Sequence, residues 1–199
     1  MRAFFHRYLD PASRLGEILF GLIMALGFTA AVRVGWEEPD NRALFIGIFG
    51  CNLAWAIVDG VMYVLGELFE RSRKVRLFRE VSSAKDDAAA VQKIADELDG
   101  RLLELTTAHE REQILRRQEP SIPRLRREDL FGGIAVALII LLATFPIVVP
   151  YLVVRDPHLA VRVSHAIALL SLFLLGMWWA RVVGSSPVRV ATGLTLVGL

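Results

Sequence analysis

The apolar run at residues 43–66, ALFIGIFGCNLAWAIVDGVMYVLG, constrains this chain more than any other stretch. Roughly 20 apolar residues in a helix cross the hydrocarbon core of a bilayer. This run is long enough, and it holds a single charged residue, Asp59. In hydrocarbon a segment must satisfy its own backbone polar groups, so the run predicts a transmembrane helix. A carboxylate inside such a helix costs about 2.5–3.5 kcal/mol on insertion scales and normally faces a bundle interior or a polar path. Asp59 therefore marks a place where a proton or a cation would be handled.

Further apolar runs occupy residues 15–32, 130–154 and 160–183, and a shorter one starts near Val190 and reaches Leu199. Hydrophobic residues make up 54% of the chain, yet Arg and Lys gather between the apolar blocks. That alternation predicts an all-α, polytopic helical membrane protein with a polar insert. The last run is too short to cross as a helix. It lacks interface aromatics and basic anchors, which favours a truncated fifth span over a re-entrant one. The fold expected is a five-span bundle. Arg2, Arg7 and Arg14, with Thr29, Ala30 and Ala31 further on, mimic a signal peptide, but Glu17 at the start of the apolar core argues against cleavage.

Orientation follows from the basic residues. The N-terminal segment carries Arg2, Arg7 and Arg14, and the first connection, GWEEPDNR, is mainly acidic. The segment after the second run begins ERSRKVR and ends RLRRED, and Arg181 and Arg189 follow the fourth. The positive-inside rule places the N-terminus and residues 67–129 in the cytoplasm, with Trp178 and Trp179 as interface anchors. The segment MRAFFHRYLD is expected to form a short interface helix anchored by Phe4, Phe5, Tyr8 and Leu9.

The formal net charge of +2 argues against a nucleic-acid partner, and one cysteine, Cys51, excludes an intramolecular disulfide. Cys51 reads as a small packing residue. No HExxH, P-loop, GxSxG or paired CxxC motif is present, so the chain is not expected to be an enzyme and no cofactor is implied.

Three regions emerge: residues 1–66 with the interface segment and two spans, a cytoplasmic insert at 67–129, and residues 130–199 with the remaining spans. The insert predicts three helices. The first continues the second span to Val81. The second follows Ser82 and Ser83 as caps and carries the stripe Val91, Ile94, Leu98, Leu102 and Leu105, with Gly100 as a possible break. The third opens at a capping box, Thr107 to Glu110, and ends before Pro120 and Pro123. Glu97, Glu104, His109 and Glu112 are possible metal ligands there, although Arg101 between the first two favours ordinary ion-paired helix faces.

Within the apolar runs, Asn52, Asp59, Met62 and Gly66 fall on one helical face, with Trp55 and Ala56 alongside. An amide oxygen, a carboxylate and a thioether suit a borderline divalent metal such as ferrous iron better than calcium or magnesium. Glu17, near the cytoplasmic end of the first run, is the second acid, with Gly21 and Met24 one and two turns on. Both acids belong to the cytoplasmic half of the expected bundle. Pro146 and Pro150 in TFPIVVPYL predict a kink, either for packing or for gating. His165 reads as a satisfied interface histidine.

Taken in order, these motifs resemble the vacuolar iron transporter family of eukaryotes and its bacterial relatives, over most of the chain. The resemblance rests on a first span opened by Glu17 and ILFGLIMALGFTA, a second ending VMYVLGELFERS, a helical insert, then FPIVVPYL and LFLLGMWWARVVGSSPVR. It implies five spans, a homodimer, and exchange of ferrous iron or manganese for protons. It also implies an acid and a methionine in the dimer's central path. By resemblance, Glu17 matches the acid of span one, usually aspartate in the family, and Asp59 fills the role of the span-two carboxylate. Met62 lies close to the span-two methionine, with one residue more before Gly66 and Glu67, and Glu67 matches the glutamate closing that span. The dense glutamate clusters of the family's insert are not found here.

The expectation is thus a dimeric, proton-coupled divalent-metal transporter of a bacterial inner membrane. Glu17 and Asp59 would bind the ion, with Met62, Asn52 and Glu67 as further ligands. The alternative is a non-transporting membrane protein whose insert is a partner-binding or sensory module. In that case Asp59 is a structural residue closed off by neighbours such as Asn52.

Overall fold

The computed structural model describes residues 5, 8–35, 40–83 and 124–198. Among them the regular elements are all helices: α1 (Pro11–Gly35), α2 (Asn41–Ser82), α3 (Arg127–Val153), α4 (Pro157–Val183) and α5 (Pro187–Val197). The first four are long and apolar enough to cross a membrane, while α5 has only 11 residues. The chain divides into two compact units. One comprises Met1–Tyr63 with Arg127–Leu199, the other Val64–Arg126.

Local chemistry sets the helix ends. Asp10 caps α1, accepting from the N–H of Ala12 at 2.8 Å and of Ser13 at 3.1 Å, so the helix starts at Pro11, one turn before the apolar run. Asp156 caps α4 by accepting from the N–H of His158 at 3.1 Å, with Pro157 preset for the first turn. Gly184 closes α4 at φ 72°, a left-handed conformation that favours glycine. Pro187 then opens α5 three residues before the expected start.

In the first unit α1, α3 and α4 pack against one another and α5 folds back along α4. The hairpin is tight because Gly176 has no side chain: a Cβ there would lie 2.5 Å from Cα of Ala191. One core cluster joins Leu22 and Leu26 of α1, Leu44 and Ile48 of α2, Ile147 and Val148 of α3, and Ala168 and Leu172 of α4. A second gathers Ala56 of α2 with Val136, Ile139 and Ile140 of α3, and Leu9 is buried in it. Leu9 thus turns into the protein, and the Tyr63 hydroxyl donates to the carbonyl of Tyr8 at 3.0 Å.

Outward positions carry Ile57, Val58, Leu142, Leu170 and Leu174, all exposed. So large an apolar surface suits lipid and not water. The fold is that of a helical, membrane-embedded protein.

Pro146 and Pro150 both lie inside α3. Each lacks the N–H that the carbonyl four residues back would accept. The carbonyls they leave are those of Leu142 and Pro146; beside them the Ser164 hydroxyl of α4 donates to the carbonyl of Ile147 at 2.8 Å, a polar bond between the two helices.

In the second unit α2 continues past Gly66 to Ser82. Arg71 donates to the carbonyl of Arg124 at 3.1 Å, tying the helix to the returning chain. The second and third helices expected of the insert lie outside the described residues, as do Gly100, the capping box at Thr107, and the candidate ligands Glu97, Glu104, His109 and Glu112. Phe4, Pro120 and Pro123 lie outside them too.

Candidate functional site

The carboxyl groups of Glu17 and Asp59 lie close together across α1 and α2. The two acids form a pair within the apolar spans. One oxygen of Glu17, Oε2, is buried without a hydrogen-bond partner.

The pair ends a longer seam. Phe20 meets Trp55 with ring centroids 6.3 Å apart and planes at 45°. Met24 Sδ lies 3.5 Å from Cys51 Sγ. Phe28 fills the space that Gly47 leaves open, where a Cβ would collide with its ring. Along α1 the positions rise as 17, 20, 24 and 28, and along α2 they fall as 59, 55, 51 and 47. Steps of three and four keep each set on one helical face. The two helices are thus antiparallel, and their facing side chains change from acidic to aromatic to sulfur. Asp59 lies about 10 Å from the end of the apolar run at Gly66, from the helical rise of 1.5 Å per residue.

Behind the seam α3 holds α2 closely. A Cβ on Gly60 would lie 2.7 Å from the carbonyl oxygen of Gly133, so the backbones touch beside Asp59. Two turns away Asn52 is wholly buried. Its Nδ2 donates to the carbonyl of Ile48 at 3.0 Å, and its Oδ1 accepts from the Thr144 hydroxyl at 3.1 Å. Gly21 of α1 completes this knot, since a Cβ there would sit 3.3 Å from Thr144 Oγ1.

Of the five residues expected to bind an ion, two are together. Glu17 and Asp59 converge. Asn52 is directed to Thr144 and its amide oxygen is engaged there. Met62 is 59% exposed, one turn beyond Asp59. Glu67 belongs to the second unit, where it pairs with Arg71 at 3.4 Å. Among the described residues no three of His, Cys, Asp and Glu gather where one ion would fit.

Three features went unread in the sequence. The Phe20–Trp55 and Met24–Cys51 contacts were visible only as apolar positions at helical spacing. Thr144 drew no attention because one threonine in an apolar run is common. Asp129 and Arg14 are both buried, near the starts of α3 and α1.

Outside the spans, Asp10 has a perturbed carboxyl. The Ser13 hydroxyl donates to it, the N–H groups of Ser13 and Ala12 add to this, and together they hold it below the usual carboxylate range.

Compared with protein-family models and with curated proteins, the chain finds no match. The likeness to vacuolar iron transporters accordingly rests on the quoted motifs and on nothing further.

Proposed function

We propose that the protein is a proton-coupled transporter of a divalent cation, with Glu17 and Asp59 as the ion-binding and proton-exchanging groups. The observation that carries this reading is the close approach of two carboxyl groups from two helices inside the apolar region. A divalent cation bound by both carboxylates displaces any proton the pair holds, which links ion entry to proton release. Removing either acid removes both the ligand and the coupling.

A homodimer fits this reading. Phe20 is 57% exposed, and Cys51, Trp55 and Met62 are exposed along the same side, so the seam faces outward. Acids at such a seam are costly against lipid. A second copy apposed there shields them and doubles the carboxyl groups offered to a hard or borderline cation. Ferrous iron and manganese are the substrates that the family resemblance suggests. In this reading the basic segments favour a cytoplasmic N-terminus and cytoplasmic residues 67–129 at a bacterial inner membrane.

The test is uptake of ferrous iron and of manganese into proteoliposomes under a pH gradient. Wild type is compared with Asp59→Asn and Glu17→Gln, each shown to be folded by its elution and helical signal. Gradient-dependent uptake that vanishes in both variants is expected. Folded wild type that moves neither metal would sink the reading and leave the pair as a structural clasp between α1 and α2.

A further inference from the structure

We propose that the outward face of α2 at the end of the apolar run and past it, formed by Leu65, Phe69, Ser72, Arg76 and Arg79, binds an anionic phospholipid through its headgroup. This surface lies within the second unit and needs nothing from the carboxyl pair. The five positions step by four, three, four and three, so they share one face of a continuous helix. All five are exposed. The face changes character along its length, from large apolar side chains (Phe69 is 62% exposed) to guanidinium groups.

That change is what a lipid presents. Arg76 lies about 10 Å along the axis from Phe69, from the 1.5 Å rise per residue. The interfacial layer on each side of a bilayer is roughly 5–8 Å thick. A lipid whose acyl chains lie against Leu65 and Phe69 therefore brings its phosphate within reach of Arg76, and long arginine stems bend toward the interface. Arginine also offers several N–H donors to phosphate in a fixed fork.

Local acids do not cancel this charge. Glu67 is paired to Arg71, and Glu70 to Arg73 at 3.6 Å. From Val64 to Ser83 the bases are Arg71, Arg73, Lys74, Arg76 and Arg79 and the acids Glu67, Glu70 and Glu80, leaving an excess of two positive charges. Arg71, by holding the carbonyl of Arg124, also brings a second basic stretch into the unit. Juxtamembrane basic clusters attract anionic lipid by electrostatics that neutral lipid lacks.

The test uses the full-length protein in detergent with equal amounts of phosphatidylglycerol and phosphatidylcholine, and native mass spectrometry to read the lipid retained. Wild type is expected to retain phosphatidylglycerol preferentially. Arg76→Gln with Arg79→Gln is expected to lower that preference about tenfold, whereas Arg76→Lys with Arg79→Lys keeps it. Lys74→Gln, on another side of the helix, leaves it unchanged. Equal retention of both lipids by wild type overturns the proposal, whatever the variants do. So do a preference that survives the double glutamine variant, an equal loss in Lys74→Gln, and displacement of the lipid by inorganic phosphate alone.

Discussion

The Thr144 hydroxyl donates to Oδ1 of Asn52 at 3.1 Å, and this bond ties α3 to α2 two turns from Asp59. It turns an amide that looked like a metal ligand into a part of the helix interface. The carboxyl pair is thereby separated from the polar group nearest it on the same face of α2. The seam and the knot have different tasks, one chemical and one structural.

That division predicts how Asn52 and Thr144 respond to substitution. Thr144→Val should destabilise by about 0.5–2 kcal/mol, since interhelical hydrogen bonds in membranes average about 0.6 and a stranded buried acceptor adds to the loss. Asn52→Leu should cost a similar amount, and the double variant less than the sum. Unfolding in mixed micelles measures all three, and strict additivity would contradict the bond.

The Glu17–Asp59 contact predicts a second non-additive cycle. Glu17→Ala strands Asp59 among apolar residues, and Asp59→Ala strands Glu17. The double alanine variant should therefore be more stable than the two single losses imply, by about 0.5–3 kcal/mol. Glu17→Gln should retain most of the stability, because an amide of the same shape can donate to a carboxyl oxygen. Thermal unfolding in detergent gives the four values needed.

Glycines on α2 should differ sharply. At Gly60 a Cβ meets the backbone oxygen of Gly133 at 2.7 Å, which cannot yield as a flexible side chain would. Gly60→Ala should destabilise by about 1–3 kcal/mol, as overpacking does. At Gly66 a Cβ meets nothing within 4 Å. Gly66→Ala should be neutral or stabilising by up to about 1 kcal/mol, from helix propensity alone. Melting temperatures of the two variants that moved together would refute the close approach.

Asp10 predicts an acid-side effect. Its carboxyl lies below the usual range because Ser13 and Ala12 donate to it. The folded state therefore binds the proton less readily than the unfolded chain. The stabilisation is full above the unfolded value near 3.8 and is lost as pH falls through the lower folded value. Asp10→Ala should cost about 0.5–1 kcal/mol at neutral pH, the low end for a cap since the group is exposed, and should flatten the acid limb. Melting temperature against pH for both proteins checks it, and parallel curves would count against the cap.

Much of this fold was legible in the amino-acid order. Four runs of apolar residues, each long enough for a bilayer, leave helices as the only structure that satisfies its own backbone, and α1 to α4 lie over those runs. Asp59 and Glu17 stood out because a charge in hydrocarbon is costly whatever the packing. Those inferences rest on local energetics, in which each residue's own environment decides.

Which residues face each other was decided by tertiary structure. A helical period groups Asn52, Asp59 and Met62 on one face, yet the first two meet residues of other helices, Thr144 for Asn52 and Glu17 for Asp59, while Met62 turns outward. Rotation of α2 about its axis is set by where its backbone comes closest to α3, at Gly60 and Gly133, and by which α1 side chains fill the gap at Gly47. Those contacts join residues far apart in the chain. No pattern within a single helix encodes them, so the site became one of two carboxyls only when α1 and α2 were packed.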